Sequence, residues 1–114
     1  MITPQSPAMP DLEITPAQLQ QRLAASALQL VDVRRDEEVA LGTLAGAIHI
    51  PLHHLPELWH QLNPQLPTVT LCHHGVRSLQ AAGLLLANGF VHVQSLKGGL
   101  DAWALQIDPN FPRY

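Results

Sequence analysis

Cysteine is almost absent from this sequence: Cys72 is the only one among 114 residues. One cysteine closes no internal disulfide, which excludes the stapled scaffolds of small secreted domains and leaves a reducing, cytoplasmic location as the expectation. Aromatic residues make up 4% and charged residues 13%, with a formal net charge of −3. Without a positive excess the chain lacks the clustered Lys and Arg that hold phosphate backbones, which argues against nucleic acid as a partner. No apolar run approaches the roughly 18 residues of a membrane span, and the N-terminus lacks the basic-then-apolar pattern of a signal peptide. No repeat, linker or long charge run divides the chain.

What is present is aliphatic. Hydrophobic residues make up 46%, mostly Leu, Ala, Val and Ile, which suffices for one core at a common domain length. Residues 1–10 hold three prolines and no periodic pattern; they are expected to form a flexible tail, with 11–114 a single domain. Short strands are expected at 12–14, 28–33, 47–50, 68–71 and 91–96, where aliphatic and β-branched residues cluster. Helices are expected at 17–26 behind the Thr15-Pro16 cap, from the acidic Asp36-Glu37-Glu38 turn to Gly42, over Leu55 to Leu62, over 79–87 and over 99–105. Residues 108–114, with two prolines, should run over the surface. Alternation of strands and helices predicts an α/β fold with a mainly parallel central sheet and helices on both faces. Ligands of such sheets sit beyond the carboxyl ends of the strands.

Two segments fall at such ends: Asp32-Val33-Arg34, and the loop Cys72-His73-His74-Gly75-Val76-Arg77-Ser78. In the loop, a thiol follows a buried strand and precedes a helix. Backbone N–H groups converging there, with the positive end of the helix dipole, favour an anion and should lower the thiol pKa. Gly75 permits the turn that such convergence needs. Alone, Cys72 would read as an inert buried thiol, since free cysteine is among the most buried residue types. The strand, glycine, arginine and helix around it favour the reactive reading.

Three blocks together resemble the rhodanese family of sulfurtransferases, from about Ile14 to Trp103. They are Val31-Asp32-Val33-Arg34 with Glu38; Gly42 with Gly46-Ala47-Ile48-His49-Ile50-Pro51; and Cys72-x-x-Gly75-x-Arg77-Ser78 with Gly98-Gly99 and Ala102-Trp103. The chain departs from the family pattern at Val39, where an aromatic is usual, and within Gly42 to Ala47. The resemblance implies a rhodanese-like domain whose Cys72 carries a sulfane sulfur as a persulfide, taken from a small donor such as thiosulfate and passed to cyanide, a thiol or a partner protein. It implies neither a cofactor nor a membrane or nucleic-acid partner. Arg77 lies five positions after Cys72, as in sulfur-transferring members, whereas the related dual-specificity phosphatases place it six after. The shorter loop suits one sulfur atom better than a phosphate.

Roles for the other residues follow. Arg77 is expected to brace the loop and, second, to attract anionic donors. Ser78 is expected to cap the following helix, with a weak contact to sulfur as an extra. Arg34 and Glu38 read as a structural ion pair, and Asp32 as a group that could orient the loop. His73 and His74 are placed at the pocket mouth, adding positive charge when protonated, or else facing solvent. Adjacent histidine pairs point in different directions, and no zinc-type spacing occurs, so no metal site is expected. A loop-cysteine phosphatase and a non-catalytic rhodanese-like binding module are the rival readings. The segment from Ile107 to Tyr114 resembles the tail of rhodanese domains fused to sulfur-carrier activating enzymes, which adds a sulfur-carrier protein to the candidate partners.

Overall fold

The structure, a computed structural model, describes residues 12–114; the tail expected at 1–10 lies outside the described residues. Five strands form one sheet in the order β1 (Glu13–Ile14), β5 (Val93–Leu96), β4 (Thr68–Leu71), β2 (Gln29–Asp32), β3 (Ile48–His49). Each neighbouring pair is parallel. Every residue of β2 and β4 is buried, as expected for strands covered on both faces.

Side chains alternate across these strands and so supply two cores. On one face Leu30, Val69, Leu71 and Leu96 meet Leu19 of helix α1 (Pro16–Ala25) and Leu100 and Trp103 of helix α5 (Gly99–Gln106). On the other, Val31, Val33 and Cys72 join Leu55 of helix α3 (Leu55–Leu58) and Ala81, Ala82 and Leu85 of helix α4 (Val76–Ala87). Thr15 and Gln18 cap α1 reciprocally, each side chain accepting the other's backbone N–H, with Pro16 pre-set at the first helical position. Among the described residues no helix is long and apolar enough to cross a membrane.

Three expectations are corrected. Helix α4 begins at Val76, not Leu79, because Gly75 adopts φ +100° and turns the chain into the helix one turn earlier. The helix expected over Leu55 to Leu62 is broken into 3₁₀ turns at Leu52–His54 and Trp59–Gln61 around the four-residue α3. Pro56 has no N–H and so fits only a first helical turn. The final segment does not simply cross the surface. Phe111 packs against the Trp103 core, and Tyr114 reaches the loop that follows β4.

The connection from β2 to β3 leaves the sheet centre in one direction, and that from β4 to β5 leaves in the other. The point of divergence lies between β2 and β4, where α/β sheets open a crevice at the carboxyl ends of their strands. Helix α2 (Asp36–Val39) and the start of α4 flank that crevice.

Candidate active site

Cys72 leaves the end of β4 and its Sγ turns back toward the first turn of α4. The N–H groups of Gly75 and Ser78 donate to it at 3.1 and 3.3 Å. The Ser78 hydroxyl lies 3.3 Å from Sγ and shares a 2.7 Å hydrogen bond with Ser95. Two amides and a hydroxyl thus surround one sulfur at a helix N-terminus, a geometry that stabilises negative charge. The sulfur is enclosed as well as cradled. Cys72 is 1% exposed and belongs to the aliphatic cluster beneath α4.

The loop is held from outside by α5. Leu100 and Asp101 donate their N–H groups to the carbonyls of Cys72 and His73 at 2.8 and 3.0 Å. This approach requires Gly99: a Cβ there would fall on the Cys72 and His73 carbonyls. Sequence reasoning placed Gly98-Gly99 in a family pattern but did not find this contact. The signal was two consecutive glycines ahead of a helix, and both adopt left-handed φ.

From the other side the loop is braced by charge. Arg77 grips Glu38 at two points, Nη1–Oε1 2.6 Å and Nη2–Oε2 2.9 Å. Glu38 also accepts the Arg35 N–H and the Tyr114 hydroxyl. The Arg77 contacts outweigh burial and draw the Glu38 carboxyl down to about 2, while the same contact raises Arg77. Both bracing and Glu38 were named from the sequence, but Glu38 was paired with the wrong arginine. Arg34 is wholly buried against Asp32, at 2.8 Å, and reaches only the backbone carbonyl of Glu38. Asp32 binds Arg34 and the Thr43 hydroxyl; its side chain makes no hydrogen bond to residues 73–78 among the described contacts.

Ser78 is also corrected. Gly75 is the N-cap, so Ser78 lies inside the first turn, buried, facing sulfur rather than capping the helix. Ser95 and Thr70 were missed. Ser95 fixes the Ser78 hydroxyl, and the Thr70 hydroxyl donates to the Ser78 carbonyl at 2.7 Å. Val76 is exposed. His74 is exposed and stacks on the half-buried His73, whose other face meets Tyr114 at 4.0 Å. Burial, then the His74 charge, push the His73 pKa down. His73 is therefore a poorer source of positive charge than expected. Tyr114 was missed as a site residue, since its tail carries no periodic signal.

A cavity of about 600 Å³ lies at the opposite, amino ends of β4 and β5, lined by residues including Arg22, Thr68 and Val93. It shares no residue with the cysteine loop.

Fold and site define an α/β domain that presents one enclosed cysteine to the amides of a helix N-terminus. The model of the rhodanese-like domain matches residues 15–106. The chain is 38% identical over 90 residues to the Rhodanese-like/PpiC domain-containing protein 12, chloroplastic, of Arabidopsis thaliana; the match covers 75% of this chain but only 30% of that longer protein. It is 36% identical to the thiosulfate sulfurtransferase GlpE of Pseudomonas paraeruginosa, covering 79% of this chain and 81% of that one. A rhodanese-like domain protein from Staphylococcus aureus superposes with a TM-score of 0.77 at 33% identity, covering 90% of this chain and 97% of that chain. The chain belongs to the rhodanese-like domain family. Relatives named as sulfurtransferases support rhodanese-type sulfur transfer in general.

Proposed function

We propose that this chain is a sulfurtransferase that works by double displacement at Cys72. The Cys72 thiolate attacks the outer sulfur of thiosulfate, a Cys–S–S⁻ persulfide forms, and sulfite leaves with the electron pair of the broken S–S bond. Cyanide, a thiol or a partner protein then attacks the terminal sulfur, forming thiocyanate or a new persulfide, and Cys72 returns as thiolate. No side-chain base is needed, because the thiolate is already the nucleophile.

The observation that carries this reading is the pair of N–H groups, Gly75 and Ser78, aimed at one sulfur. They favour negative charge on the Cys72 sulfur, and the five-position spacing from Cys72 to Arg77 makes a short loop that suits one sulfur better than a tetrahedral phosphate. The engagement of both terminal nitrogens of the Arg77 guanidinium by Glu38 speaks against a phosphatase, whose arginine must face its anion. Burial of Cys72 means that the donor's outer sulfur has to enter the loop for the first step; the second step is less constrained. A persulfide places the reactive atom one S–S bond, about 2 Å, beyond Sγ, and the buried resting sulfur stays shielded from oxidation.

With one cysteine in the chain, no internal thiol resolves the persulfide, so delivery is intermolecular. A sulfur-carrier protein is one acceptor of suitable chemistry, and a reducing cytoplasmic compartment would keep Cys72 free to cycle. The functional unit is taken as residues 11–114, since Tyr114 contacts the site.

Intact mass after thiosulfate treatment tests the reading. A gain of roughly 32 Da, one sulfur, that dithiothreitol removes and that Cys72→Ser lacks is expected. No gain on the wild-type protein, or thiosulfate:cyanide activity surviving in Cys72→Ser, would sink it.

A further inference from the structure

We propose that Tyr114 is a positioning residue for the Cys72 loop, acting through Glu38 and His73; the proposal rests on the sulfur-transfer reading of that loop. Two separate contacts from one side chain carry it. The Tyr114 hydroxyl donates to Glu38 Oε2 at 2.8 Å and accepts from Arg34 Nη1 at 2.9 Å. It therefore joins the buried Asp32–Arg34 pair to the Glu38–Arg77 pair, and Arg77 sits in the helical turn that aims the Ser78 amide at sulfur.

The ring does different work. It lies nearly parallel to His73, with centroids 4.0 Å apart and planes 17° from each other. His74 stacks on His73 as well, at 3.9 Å. Among the described residues the buried Nε2 of His73 has no hydrogen-bond partner, so stacking, not a hydrogen bond at that atom, places the residue directly after Cys72.

The segment that delivers Tyr114 is itself fastened. Phe111 packs on the Trp103 core. Pro112 lies against Gly42, where a Cβ would come within 3.0 Å of it. Arg113 pairs with Asp101 at 2.8 Å, in the helical turn of α5 whose amides hold the Cys72 and His73 carbonyls. Strap and loop thus share one support. Only tyrosine combines a ring for His73 with a hydroxyl that reaches both Arg34 and Glu38.

Tyr114→Phe and Tyr114→Ala separate the two contacts. In Phe the stack stays and both hydrogen bonds of the hydroxyl are lost; kcat/KM for thiosulfate should fall about threefold, and about tenfold in Ala, which loses the His73 stack as well. Hydrogen exchange measured by mass spectrometry supplies a second readout that needs no chemistry. Peptides covering residues 72–78 should exchange about tenfold faster in Tyr114→Ala, while α1 and β5 keep wild-type rates. Wild-type kcat/KM in the alanine variant overturns the proposal, as does exchange that rises equally in every element. Should the wild-type protein carry no sulfur, the transfer reading has failed, and loop exchange alone decides whether Tyr114 positions the loop.

Discussion

Arg77 and Glu38, 39 residues apart, meet in a forked ion pair that ties the first turn of α4 to α2 across the sheet's switch point. The fork is planar and bidentate, which a lysine cannot reproduce. Arg77→Lys should therefore keep the charge but lose the brace. We expect a stability loss of about 1–2 kcal/mol, moderated by the partial exposure of the Arg77 side chain, and a several-fold drop in thiosulfate:cyanide transfer. Urea unfolding and steady-state kinetics measure both. A lysine variant with wild-type midpoint and wild-type rate would mean that charge alone matters.

The same pair sets the acid limit. Arg77 holds Glu38 at about 2, against an ordinary value of 4.5. A depressed carboxyl stabilises the fold fully above pH 4.5 and loses that contribution as pH falls toward 2, because the unfolded chain takes up the proton first. The full contribution is at most about 3 kcal/mol. Unfolding free energy measured from pH 6 to 2.5 should fall for the wild-type protein. Glu38→Gln, less stable at pH 6, should lose less over that interval; a parallel pair of curves would contradict the assignment.

Gly75 and Gly99 should respond unequally to alanine. At Gly75 the φ of +100° is strained for any L side chain, and a Cβ would crowd the Gly98 nitrogen at 3.2 Å and the Leu96 carbonyl at 3.3 Å. A cost of about 2 kcal/mol is expected, with much of the fold retained. At Gly99 the added carbon meets the backbone carbonyls of Cys72 and His73 closely enough that α5 must move. Gly99→Ala should be the more damaging in thermal unfolding and should raise hydrogen exchange in the Cys72 loop. Both glycines carry a left-handed φ, so the reverse order would show that close approach to the Cys72 and His73 carbonyls is not the larger cost.

The cysteine loop was legible because its signals are local: a β-branched run, one cysteine, a glycine and a run of helix formers follow each other from Thr68 to Ala87. The parallel sheet was legible from the same kind of alternation. Contacts that depend on tertiary approach were not. The four-residue spacing of Arg34 and Glu38 suggests a helical pair, yet α2 starts only at Asp36. Arg34 lies in a bend between β2 and α2, outside any helix, where that spacing brings no pairing. Ser78 was misplaced by one turn because Gly75's left-handed φ starts α4 early. Tyr114 meets Glu38 across 76 residues through a segment with no periodicity to follow.

Ser78 and Ser95 give the sharpest test of the sulfur environment. The Ser78 hydroxyl faces Cys72 Sγ, and among the described residues the Ser95 hydroxyl bonds only to Ser78. Ser78→Ala removes the group beside sulfur and leaves the buried Ser95 hydroxyl unpaired, at a cost of about 1–2 kcal/mol. Transfer should fall about three- to tenfold, since one donor to the anionic sulfur is gone while the two amides stay. Ser95→Ala leaves Ser78 in place but free to turn, so its kinetic effect should be smaller. If the two hydroxyls act as a unit, the double variant should lose less than the product of the single losses. Multiplicative losses would mean that Ser95 acts on the site by a route other than Ser78, and an unchanged rate in Ser78→Ala would leave the amides of Gly75 and Ser78 as the whole of the cradle.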